Sequence, residues 1–474
     1  MSRRRKNRQP VQVTLDRLEL RHTSGVDEEG GRWLVRGAPV GAVVEAQPGR
    51  KGTARRLRLV EPSADGQQPP CEVFGLCGGC QLQEMPLDRQ RLEKQVLLER
   101  LLDLKCIAMD GATEAYGYRN KIELSYGVRR FLPEDRKDEE LEGSWLGFHP
   151  PGWFSRIVPV PHCSLATDAM NRVIAAVSQA ELGPAWNTRT HEGGWRHLVI
   201  RDGAPMGGVV VSLVTTSAVD KDAVDGVAQM LSNIDGVDSI LWVVNDGVAE
   251  VATGELRAVL HGAPWLIFQL DVSTYGGSGA ADAVQLRLPY DAFFQVNTRG
   301  AERLLVRIAE ALTLDGSGTT GTLLDLYCGS GAIGLALAKG LHPQARGRLI
   351  GIELHAEAVR LAQSNAERNG IQGEWHAGKV EEILPTLQLE GPLAVVVDPP
   401  RSGLHPKAAQ FLASLDADVL VYVACNPSSL VRDRDILEQG GWKLEKFWGV
   451  DLFPQTQHIE AIGQFVRNSQ PGDV

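Results

Sequence analysis

The sequence predicts an α/β protein in which a doubly wound parallel sheet forms the last third of the chain. From residue 291 onward, apolar strand-like segments alternate with helical segments, which is typical of a parallel sheet covered by helices. Several of these strands end in turns that carry Gly, Asp or Cys, at the edge where open α/β sheets bind ligands. Residues 11–60 instead contain short alternating segments separated by Gly, Pro and Asp turns, which predicts a small antiparallel barrel. We therefore expect three domains, at residues 1–62, 63–290 and 291–474.

The composition is that of an ordinary globular protein, and it argues against two classes. With 474 residues, 43% apolar and 23% charged, the chain can bury a sizeable core. No run approaches the roughly 18 consecutive apolar residues of a membrane helix. The basic segment 1–10 is not followed by the apolar region of a secretory signal. We therefore expect a cytoplasmic protein, whose seven cysteines serve a metal or catalysis rather than disulfides.

Charge is unevenly distributed along the chain. Residues 1–60 hold 14 Lys and Arg against 6 Asp and Glu, a local charge of +8, whereas the whole chain carries −10. The remaining residues therefore carry −18, and this asymmetry indicates a basic appendage on an acidic body. Arg55, Arg56 and Arg58 on the last barrel strand would suit phosphate groups, although a solvated basic strand explains them equally well.

A cysteine cluster follows a linker at residues 61–70. Cys71, Cys77 and Cys80 lie close together in sequence, with glycines that let the backbone curl around a metal, and they indicate a metal or cluster site. Such a site needs a fourth ligand, and Cys163, which lies among turn residues, is the best candidate. Four thiolates suit either structural zinc or an iron–sulfur cluster.

The region between the barrel and the parallel sheet is predicted to be mixed α and β, with one amphipathic helix at 88–109. The apolar face of that helix carries Leu92, Val96, Leu97, Leu101 and Leu104. We expect the helix to pack on the C-terminal domain, with Cys106 in its core. The segments Tyr118–Lys121 and Trp195–Arg201 mix cations with aromatic rings, as base stacking and phosphate contacts require, although scattered surface cations explain them almost as well. Acidic residues at 132–143 predict an exposed loop.

Residues 322–334 begin as a buried strand and end in a Gly-rich turn that opens a helix. Gly329 and Gly331 let the backbone approach a ligand, and the lack of Gly-Lys-Ser/Thr argues against a phosphate-binding loop. Asp325 at the strand end is typical of methyl-donor binding. Glu353 ends the second strand, well placed to accept both ribose hydroxyls of a nucleoside. The pattern favours a methyl donor, and an NAD enzyme is the main competitor.

Two further strands end in groups that could act in catalysis. The third strand ends at Asp398, followed by two prolines and Arg401, in a turn where base-modifying methyltransferases hold their target. Amino-group methyltransferases usually carry an aromatic residue after the prolines, so Arg401 weakens an N-methylation hypothesis. The strand Leu420–Ala424 delivers Cys425 to the same edge, where simple packing is the alternative role of a cysteine.

Methylation of uracil C5 requires a thiol, because C5 is a poor nucleophile until a thiolate has added to C6. The reaction then needs a base that removes the C5 proton. Glu460, which follows a Pro-containing loop into the terminal strand, is the predicted base, and a surface glutamate on an edge strand is the alternative.

Five motifs together resemble the RNA uracil-C5 methyltransferases, in the same order and spacing. They are Phe293–Asn297, Asp325–Gly331, Asp398–Leu404, Ala424–Pro427 and Asp451–Glu460. The N-terminal barrel resembles the TRAM domain of that family, and the cysteines resemble the ligands of its [4Fe–4S] cluster. Because the bacterial tRNA branch typically lacks both features, the sequence is most similar to the 23S ribosomal RNA branch.

The resemblance implies a Rossmann-like S-adenosylmethionine methyltransferase domain, an N-terminal TRAM (OB-like) β-barrel and a central α+β RNA-binding domain. It implies that Cys425 is the nucleophile and Glu460 the general base. The implied donor contacts are Gln295, Tyr327, Gly329, Gly331, Glu353 and Asp398. The implied ligands of the [4Fe–4S] cluster are Cys71, Cys77, Cys80 and Cys163. This chain has Ala332 and Lys379 where some members have Asn.

We therefore expect a cytoplasmic, monomeric enzyme that transfers a methyl group from S-adenosylmethionine to uridine C5 in RNA, with 23S ribosomal RNA as its substrate. A tRNA uracil-C5 methyltransferase is one alternative. A non-catalytic RNA-binding assembly factor is another, although the presence of both Cys425 and Glu460 argues against it. A cluster-based electron-transfer protein is a third.

Overall fold

A computed structural model describes residues 9–132, 142–203, 205–271, 283–313, 321–341, 347–389 and 391–467. The acidic segment predicted as a loop at 132–143 lies almost wholly outside the described residues. Within them, no helix is both long and apolar enough to cross a bilayer.

The N-terminal segment forms a closed five-stranded barrel, as its alternating sequence predicts. The strands are β1 (Val11–Leu18), β2 (Thr23–Asp27), β3 (Arg32–Val35), β4 (Val43–Pro48) and β5 (Thr53–Glu61). They close in the order β1-β2-β3-β5-β4, around a core that includes Val13, Leu15 and Val44. This barrel is consistent with an OB-like domain.

The predicted basic edge of the barrel is largely neutralised by the chain's own carboxylates. Arg56 donates to Glu84 with an Nη2–Oε1 distance of 2.7 Å, and Arg58 Nε lies 2.7 Å from Glu45 Oε2. Arg55 is exposed. Arg58 therefore pairs within the barrel and Arg56 ties the barrel to the segment that follows it, so neither arginine offers an unpaired charge to phosphates.

The predicted helix at 88–109 is shorter in the structure and buries a different face. Helix α1 (Leu87–Leu102) ends at Asp103, whose φ of 49° is left-handed. Leu92 and Val96, predicted on the buried face, are 49% and 46% exposed. The buried side of α1 carries Gln90, Glu93 and Lys94 beside Leu97, Leu98 and Leu102.

The segment after α1 is extended rather than helical. Cys106 lies in this segment, partly buried at the margin of the C-terminal core. Strand β6 (Met109–Gly111) then pairs in parallel with a strand of the C-terminal sheet. Helix α1 also packs on the C-terminal domain, since Arg434 donates to the Leu102 carbonyl at 2.8 Å.

The central region is a seven-stranded sheet with two helices. Its strands are β7 (Lys121–Arg129), β8 (Glu142–Phe148), β9 (Val158–Pro159), β10 (Trp195–Asp202), β11 (Val209–Thr215), β12 (Val237–Val244) and β13 (Glu255–His261). They lie in the order β13-β12-β11-β10-β7-β8-β9, and only β11 and β12 pair in parallel. Helices α2 (Asp168–Gln179) and α3 (Lys221–Ser232) supply apolar residues to its core.

The segment Trp195–Arg201, predicted as a possible RNA contact, is buried in β10. Arg196 is fully buried and donates to the carbonyl oxygens of Asn245 and Ala249, each at 2.7 Å, and to that of Gly247. Its guanidinium also lies 4.5 Å from the centre of the Trp186 ring. These side chains organise the central sheet and are not available to nucleic acid.

The C-terminal fold is an eight-stranded sheet with a hairpin packed on one face. The hairpin strands are β14 (Trp265–Leu270) and β15 (Val284–Pro289). The sheet strands are β16 (Thr322–Leu326), β17 (Arg348–Glu353), β18 (Glu374–Ala377), β19 (Leu393–Val397), β20 (Val419–Ala424), β21 (Trp442–Asp451) and β22 (Glu460–Arg467), with β6 at the edge. The order is β18-β17-β16-β19-β20-β22-β21-β6, and only β22 runs antiparallel to both of its neighbours.

Helices cover both faces of this sheet. They are α4 (Thr298–Leu312), α5 (Ala332–Ala336, continued by a wider turn at Leu337–Leu341), α6 (Ala356–Asn369), α7 (Val380–Ile383, continued by a tight turn at Leu384–Thr386), α8 (Pro406–Ser414) and α9 (Pro427–Gln439). Successive β16 residues alternate between the two cores, with Leu323 in one and Leu324 in the other. The strands are thus buried on both sides, which explains their continuous apolar sequences.

Replacement of Arg196 by Met should destabilise the protein without removing an RNA contact. The substitution keeps the length of the side chain but leaves buried carbonyl oxygens without donors, so we expect the free energy of unfolding in urea to fall by about 2–4 kcal/mol. Arg189→Met, at an exposed position of the same domain, should change it by less than about 0.5 kcal/mol. A stable Arg196→Met protein with weakened RNA binding would contradict the structural role that we assign to Arg196.

Candidate active site at the carboxyl edge of the sheet

The strand order reverses between β16 and β19, so a crevice opens beyond their carboxyl ends. The turn after β16 borders this crevice and has three left-handed residues, Tyr327, Gly329 and Gly331, with φ of 63°, 54° and 86°. A Cβ on Gly329 would meet nothing within 4 Å, whereas one on Gly331 would lie 3.1 Å from the Trp375 ring. There is therefore free space beside Gly329, whereas Gly331 packs against the protein.

Carboxylates at the ends of β16 and β17 fix the shape of this turn. Asp325 is buried, accepts the Gly334 amide at 2.8 Å and has its pKa raised to about 7 by burial. Glu353 accepts the Gly329 amide at 3.2 Å with one oxygen and the His355 amide at 2.9 Å with the other. Gly329 and Glu353, which are both predicted to bind the methyl donor, are thus in direct contact.

Two other residues predicted to bind the methyl donor, Asp398 and Tyr327, lie in the turns after β19 and β16, which border the crevice. Asp398 follows β19, its amide donates to the Leu326 carbonyl at 3.2 Å, and burial raises its pKa to about 7. Burial raises the pKa of the Tyr327 hydroxyl to about 12. Gln295 precedes α4, and its carbonyl accepts from Asn120 Nδ2 at 2.9 Å. Phe293, two residues earlier, is 80% exposed.

The pairing of β20 with β22 brings the predicted nucleophile and base together. Ala424, the last residue of β20, pairs with Ala461 in antiparallel register. This register brings the next residues along the chain, Cys425 and Glu460, to facing ends of the two strands, and the Glu460 carboxyl lies close enough to raise the pKa of the Cys425 thiol. Two residues separated by a long stretch of sequence therefore share one edge of the sheet.

Burial and nearby carboxyls raise the pKa values of both groups. Burial raises the pKa of the Cys425 thiol to about 11, with further contributions from Glu460 and Asp398. Burial and Asp398 raise the pKa of Glu460 well above its usual range. Arg401 opposes both shifts. Cys425 is only half-buried, whereas Cys328, in the turn after β16, is buried and its thiol pKa is raised well above its ordinary value.

The cavity at Cys425 is closed partly by the N-terminal barrel. This cavity, of about 410 Å³, is lined by Cys425, Arg401 and His458 and also by Arg21 and His22 from the turn between β1 and β2. Arg401 Nη2 lies 3.3 Å from His458 Nδ1. Burial lowers the pKa of His458 to about 4, and Arg401, Lys94, Arg119 and Arg21 lower it too.

Arg401 and Arg119 lie in segments that were identified from the sequence, but Arg21, Lys94 and His458 were given no role in the cavity. The four cations come from four separate segments, so no motif connects them. Ala332 and Lys379 are the two positions where some family members have Asn. Ala332 begins α5, and Lys379 forms an exposed ion pair with Glu382 at 2.8 Å.

The four predicted cluster ligands line one cavity of about 430 Å³, together with Arg119. They are Cys71, Cys77, Cys80 and Cys163, and all four are partly exposed free thiols. Burial, reinforced by the other three thiols, raises the pKa of Cys80 to about 12. Within the described residues, no group of three or more His, Cys, Asp or Glu has an arrangement that could hold a metal ion as it stands.

Comparisons with known proteins agree with this geometry. A family model described as tRNA (Uracil-5-)-methyltransferase matches residues 387–468, and one described as a methyltransferase domain matches residues 318–399. The chain is 31% identical over 452 residues to an uncharacterized RNA methyltransferase of Caldanaerobacter subterraneus, covering 92% of this chain and 94% of that protein. It is 29% identical over 418 residues to the tRNA (uracil(54)-C(5))-methyltransferase of Pyrococcus horikoshii, covering 87% and 89%.

Among solved structures, the crystal structure of Pyrococcus abyssi tRNA (uracil-54, C5)-methyltransferase in complex with S-adenosyl-L-homocysteine matches with a TM-score of 0.74. The two chains are 25% identical, and the match covers 96% of this chain and 100% of that one. The fold and its site thus define a Rossmann-like methyltransferase. The chain belongs to the RNA uracil-5-methyltransferase family and is an RNA methyltransferase of that family.

Proposed function

We propose that this protein methylates C5 of a uridine in RNA, with S-adenosylmethionine as methyl donor and Cys425 as covalent nucleophile. The observation that carries the proposal is the opposition of Cys425 and Glu460 across the β20–β22 pair, beside Asp398. A thiol and a carboxyl at the ligand edge supply what C5 methylation needs and N-methylation does not. Family membership supports the same reaction.

The donor would bind in the crevice at the strand-order reversal. Its contacts would come from Gln295, Tyr327, Gly329, Gly331, Glu353 and Asp398. The open face of the turn at Gly329 and the carboxylate that ends β17 support this assignment. The Pyrococcus abyssi relative was solved with S-adenosyl-L-homocysteine, the product of such a donor, which supports it further.

The reaction divides into bond-making and bond-breaking steps that these residues can serve. Deprotonated Cys425 sulfur bonds to C6, and the C5–C6 double-bond electrons move into the ring as an enolate. C5 then bonds to the methyl carbon while the sulfonium C–S bond breaks, leaving a neutral thioether. Glu460 removes the C5 proton, the C5–C6 double bond re-forms, and the C6–S bond breaks to release the Cys425 thiolate.

The protonation states predict a reaction that accelerates with pH. A carboxyl whose pKa is raised is ionised only as the pH rises toward that pKa, so Glu460 gains its capacity as a base at higher pH. Cys425 likewise gains thiolate as the pH rises toward about 11. Arg401, which lowers both pKa values, would bring these ionisations closer to neutrality.

We expect Cys425→Ala to abolish labelled methyl transfer to RNA while donor binding persists. Glu460→Gln should form the methylated adduct but resolve it about a hundredfold or more slowly, because no base removes the C5 proton. A covalent enzyme–RNA species should then persist on a denaturing gel. For the wild type, adduct resolution should accelerate as the pH rises, because the pKa of Glu460 is raised well above its usual range.

Cys106→Ala, outside the cavity, is the matched control and should retain activity. Turnover by Cys425→Ala would exclude the covalent route. Methylated RNA released at the normal rate by Glu460→Gln would assign the base to another residue. Failure of the wild type to methylate any RNA would favour the non-catalytic assembly factor.

The RNA would present its target uridine flipped out or unpaired, because sulfur and methyl donor must approach the ring from opposite faces. The cations that surround His458 would attract the phosphate backbone, and this affinity should weaken with salt. The OB-like barrel would be a TRAM domain, since its β1–β2 turn lines the Cys425 cavity. We propose that the enzyme acts as a cytoplasmic monomer.

The cysteine cavity would hold a [4Fe–4S] cluster through Cys71, Cys77, Cys80 and Cys163. A single zinc ion would draw its thiolates to about 3.8 Å from one another, whereas these thiols surround a cavity large enough for several atoms. Arg119 Nε is buried there without a hydrogen-bond partner among the described residues, and its charge would offset that of thiolates. The cluster would hold its ligand loops together as a structural cross-link.

Protein purified without oxygen should contain about four iron atoms per chain and be brown. Cys77→Ser should lose that iron and melt at a lower temperature, because its thiolate would link the loop at residues 71–80 to Cys163. Cys106→Ser is the control and should keep the iron. About one zinc ion per chain and no iron would show that the four cysteines hold zinc rather than an iron–sulfur cluster.

We propose 23S ribosomal RNA as the substrate, on the resemblance of the barrel and the cysteines to that branch. Transfer RNA is the second candidate, because the similar Pyrococcus enzymes act on uracil-54 of tRNA by their names. The Pyrococcus abyssi structure is matched over its full length, so a barrel and a central domain do not by themselves exclude tRNA.

Mapping 5-methyluridine in a strain that lacks this protein separates the two substrates. We expect the modification to disappear from one position of 23S ribosomal RNA while tRNA remains unchanged. Restoration by the wild type and not by Cys425→Ala would tie the change to catalysis. Loss from tRNA alone would assign the enzyme to the tRNA branch.

A further inference from the structure

The loop Leu452–Ile459 joins β21 to β22 and delivers Glu460 to the active site. Its position cannot come from strand pairing, since the β21–β22 pairing ends at Val450 with Glu460 and Asp451 pairs with Gly111 of β6. Gln455, at its centre, has a φ of 69°, a left-handed conformation that an L side chain rarely adopts. Such a conformation persists where the surroundings determine it, and it occurs often at active sites.

Helix α1 supplies two of the groups that determine this loop. Gln90 and Gln455 form reciprocal hydrogen bonds: the Gln455 amide donates to Gln90 Oε1, and Gln90 Nε2 donates to Gln455 Oε1, both at 2.9 Å. Lys94 Nζ lies 2.6 Å from Asp451 Oδ1 and 3.3 Å from the Phe453 carbonyl. Gln90, Lys94 and Asp451 are fully buried.

Other contacts to the loop come from the segment that carries the cysteines. The Gln455 carbonyl accepts from the backbone amides of Gln81 and Leu82, at 2.9 and 3.0 Å, immediately after Cys80. The Tyr118 hydroxyl donates to the Pro454 carbonyl at 2.8 Å. The loop is therefore held from outside the C-terminal domain.

We propose that Gln90 and Lys94 are positioning residues that hold Glu460 and His458 at the Cys425 cavity. A buried ion pair and buried amides stabilise a fold no better than apolar side chains of the same shape would. What they add is direction, because Gln90 fixes the backbone amide of Gln455 and Lys94 fixes the backbone carbonyl of Phe453, while the other two bonds hold the side chains of Gln455 and Asp451. The proposal rests on the proposed function and concerns its last step, the removal of the C5 proton.

Each side chain of the pair acts on a different part of the loop. Lys94 holds its start, at Asp451 and Phe453, and Gln90 holds its centre, at Gln455. Donor contacts and the sulfur of Cys425 lie on other segments. Loss of either positioning residue should therefore slow proton removal and leave thiol addition and methyl transfer nearly unchanged.

Single-turnover methylation of a uridine-containing RNA, with a labelled donor, measures these steps separately on denaturing gels. Gln90→Met keeps the length of the side chain and removes its amide. We expect adduct formation within about threefold of the wild type and adduct resolution about tenfold to a hundredfold slower, as for a misplaced catalytic group. The KM for RNA should stay near its normal value while kcat falls.

Gln95→Met is the matched control, on the same helix but bonded to Glu99 rather than to the loop. It should resolve the adduct at the normal rate. Hydrogen exchange of the peptide covering residues 452–459 should accelerate in Gln90→Met and not in Gln95→Met. The double variant Lys94→Met with Asp451→Asn removes both partners of the fully buried ion pair, and Arg91, which lies 3.8 Å from Asp451, is partly exposed, so the variant tests Lys94 without a fully buried lone charge.

A Gln90→Met protein that melts early but resolves the adduct normally would reduce Gln90 to a structural role and overturn the proposal. Equal slowing of adduct formation and resolution would overturn it as well. The wild type is the reference for the proposed function: with no adduct and no methyl transfer in the wild type, both proposals fail. A normal wild type with normal resolution in Gln90→Met and in the double variant removes the positioning proposal alone.

Discussion

The antiparallel insertion of β22 between β20 and β21 is the constraint on which the site depends. Hydrogen bonding in such a pair fixes which residues face each other, and Ala424 with Ala461 sets Cys425 opposite Glu460. A slip of one residue would turn Glu460 to the other face of the sheet. The register is secure because β22 is buried on both faces, with Ile462 in one core and Phe465 in the other.

The same edge collects acidic groups in a buried environment, and cations from several segments lie around His458 beside them. Burial raises the pKa values of Asp325 and Asp398 to about 7 and that of Glu460 well above its usual range, and Arg401 opposes the shift of Glu460. Arg21, Lys94, Arg119 and Arg401 come from the barrel, from α1, from the segment before the central sheet and from the turn after β19. The positive field at the cavity is therefore a product of domain packing, although the chain as a whole is acidic.

The sequence predicted the elements that bury apolar residues and could not predict those that bury paired polar ones. β16, β19 and β20 are continuous apolar runs, so both the strands and the residues at their ends were identified. Gln90, Lys94 and Arg196 are also buried, but each is stabilised by partners distant in sequence. Hydrophobic periodicity reports none of these partners, because it assumes that polar side chains face water.

The sequence predicted the barrel as a domain but did not predict where it packs on the rest of the protein. Its strands follow from alternation, yet the contribution of Arg21 and His22 to the Cys425 cavity follows only from its docking on the C-terminal domain. A target base must then reach a thiol that is enclosed between the barrel turn and the sheet edge. Because the full architecture is matched by a tRNA enzyme, the presence of the barrel does not select the RNA. Arg21 and His22 of the barrel turn and Gln457 and His458 of the loop Leu452–Ile459 line the same cavity, so under the proposed function both segments would contact an entering uridine.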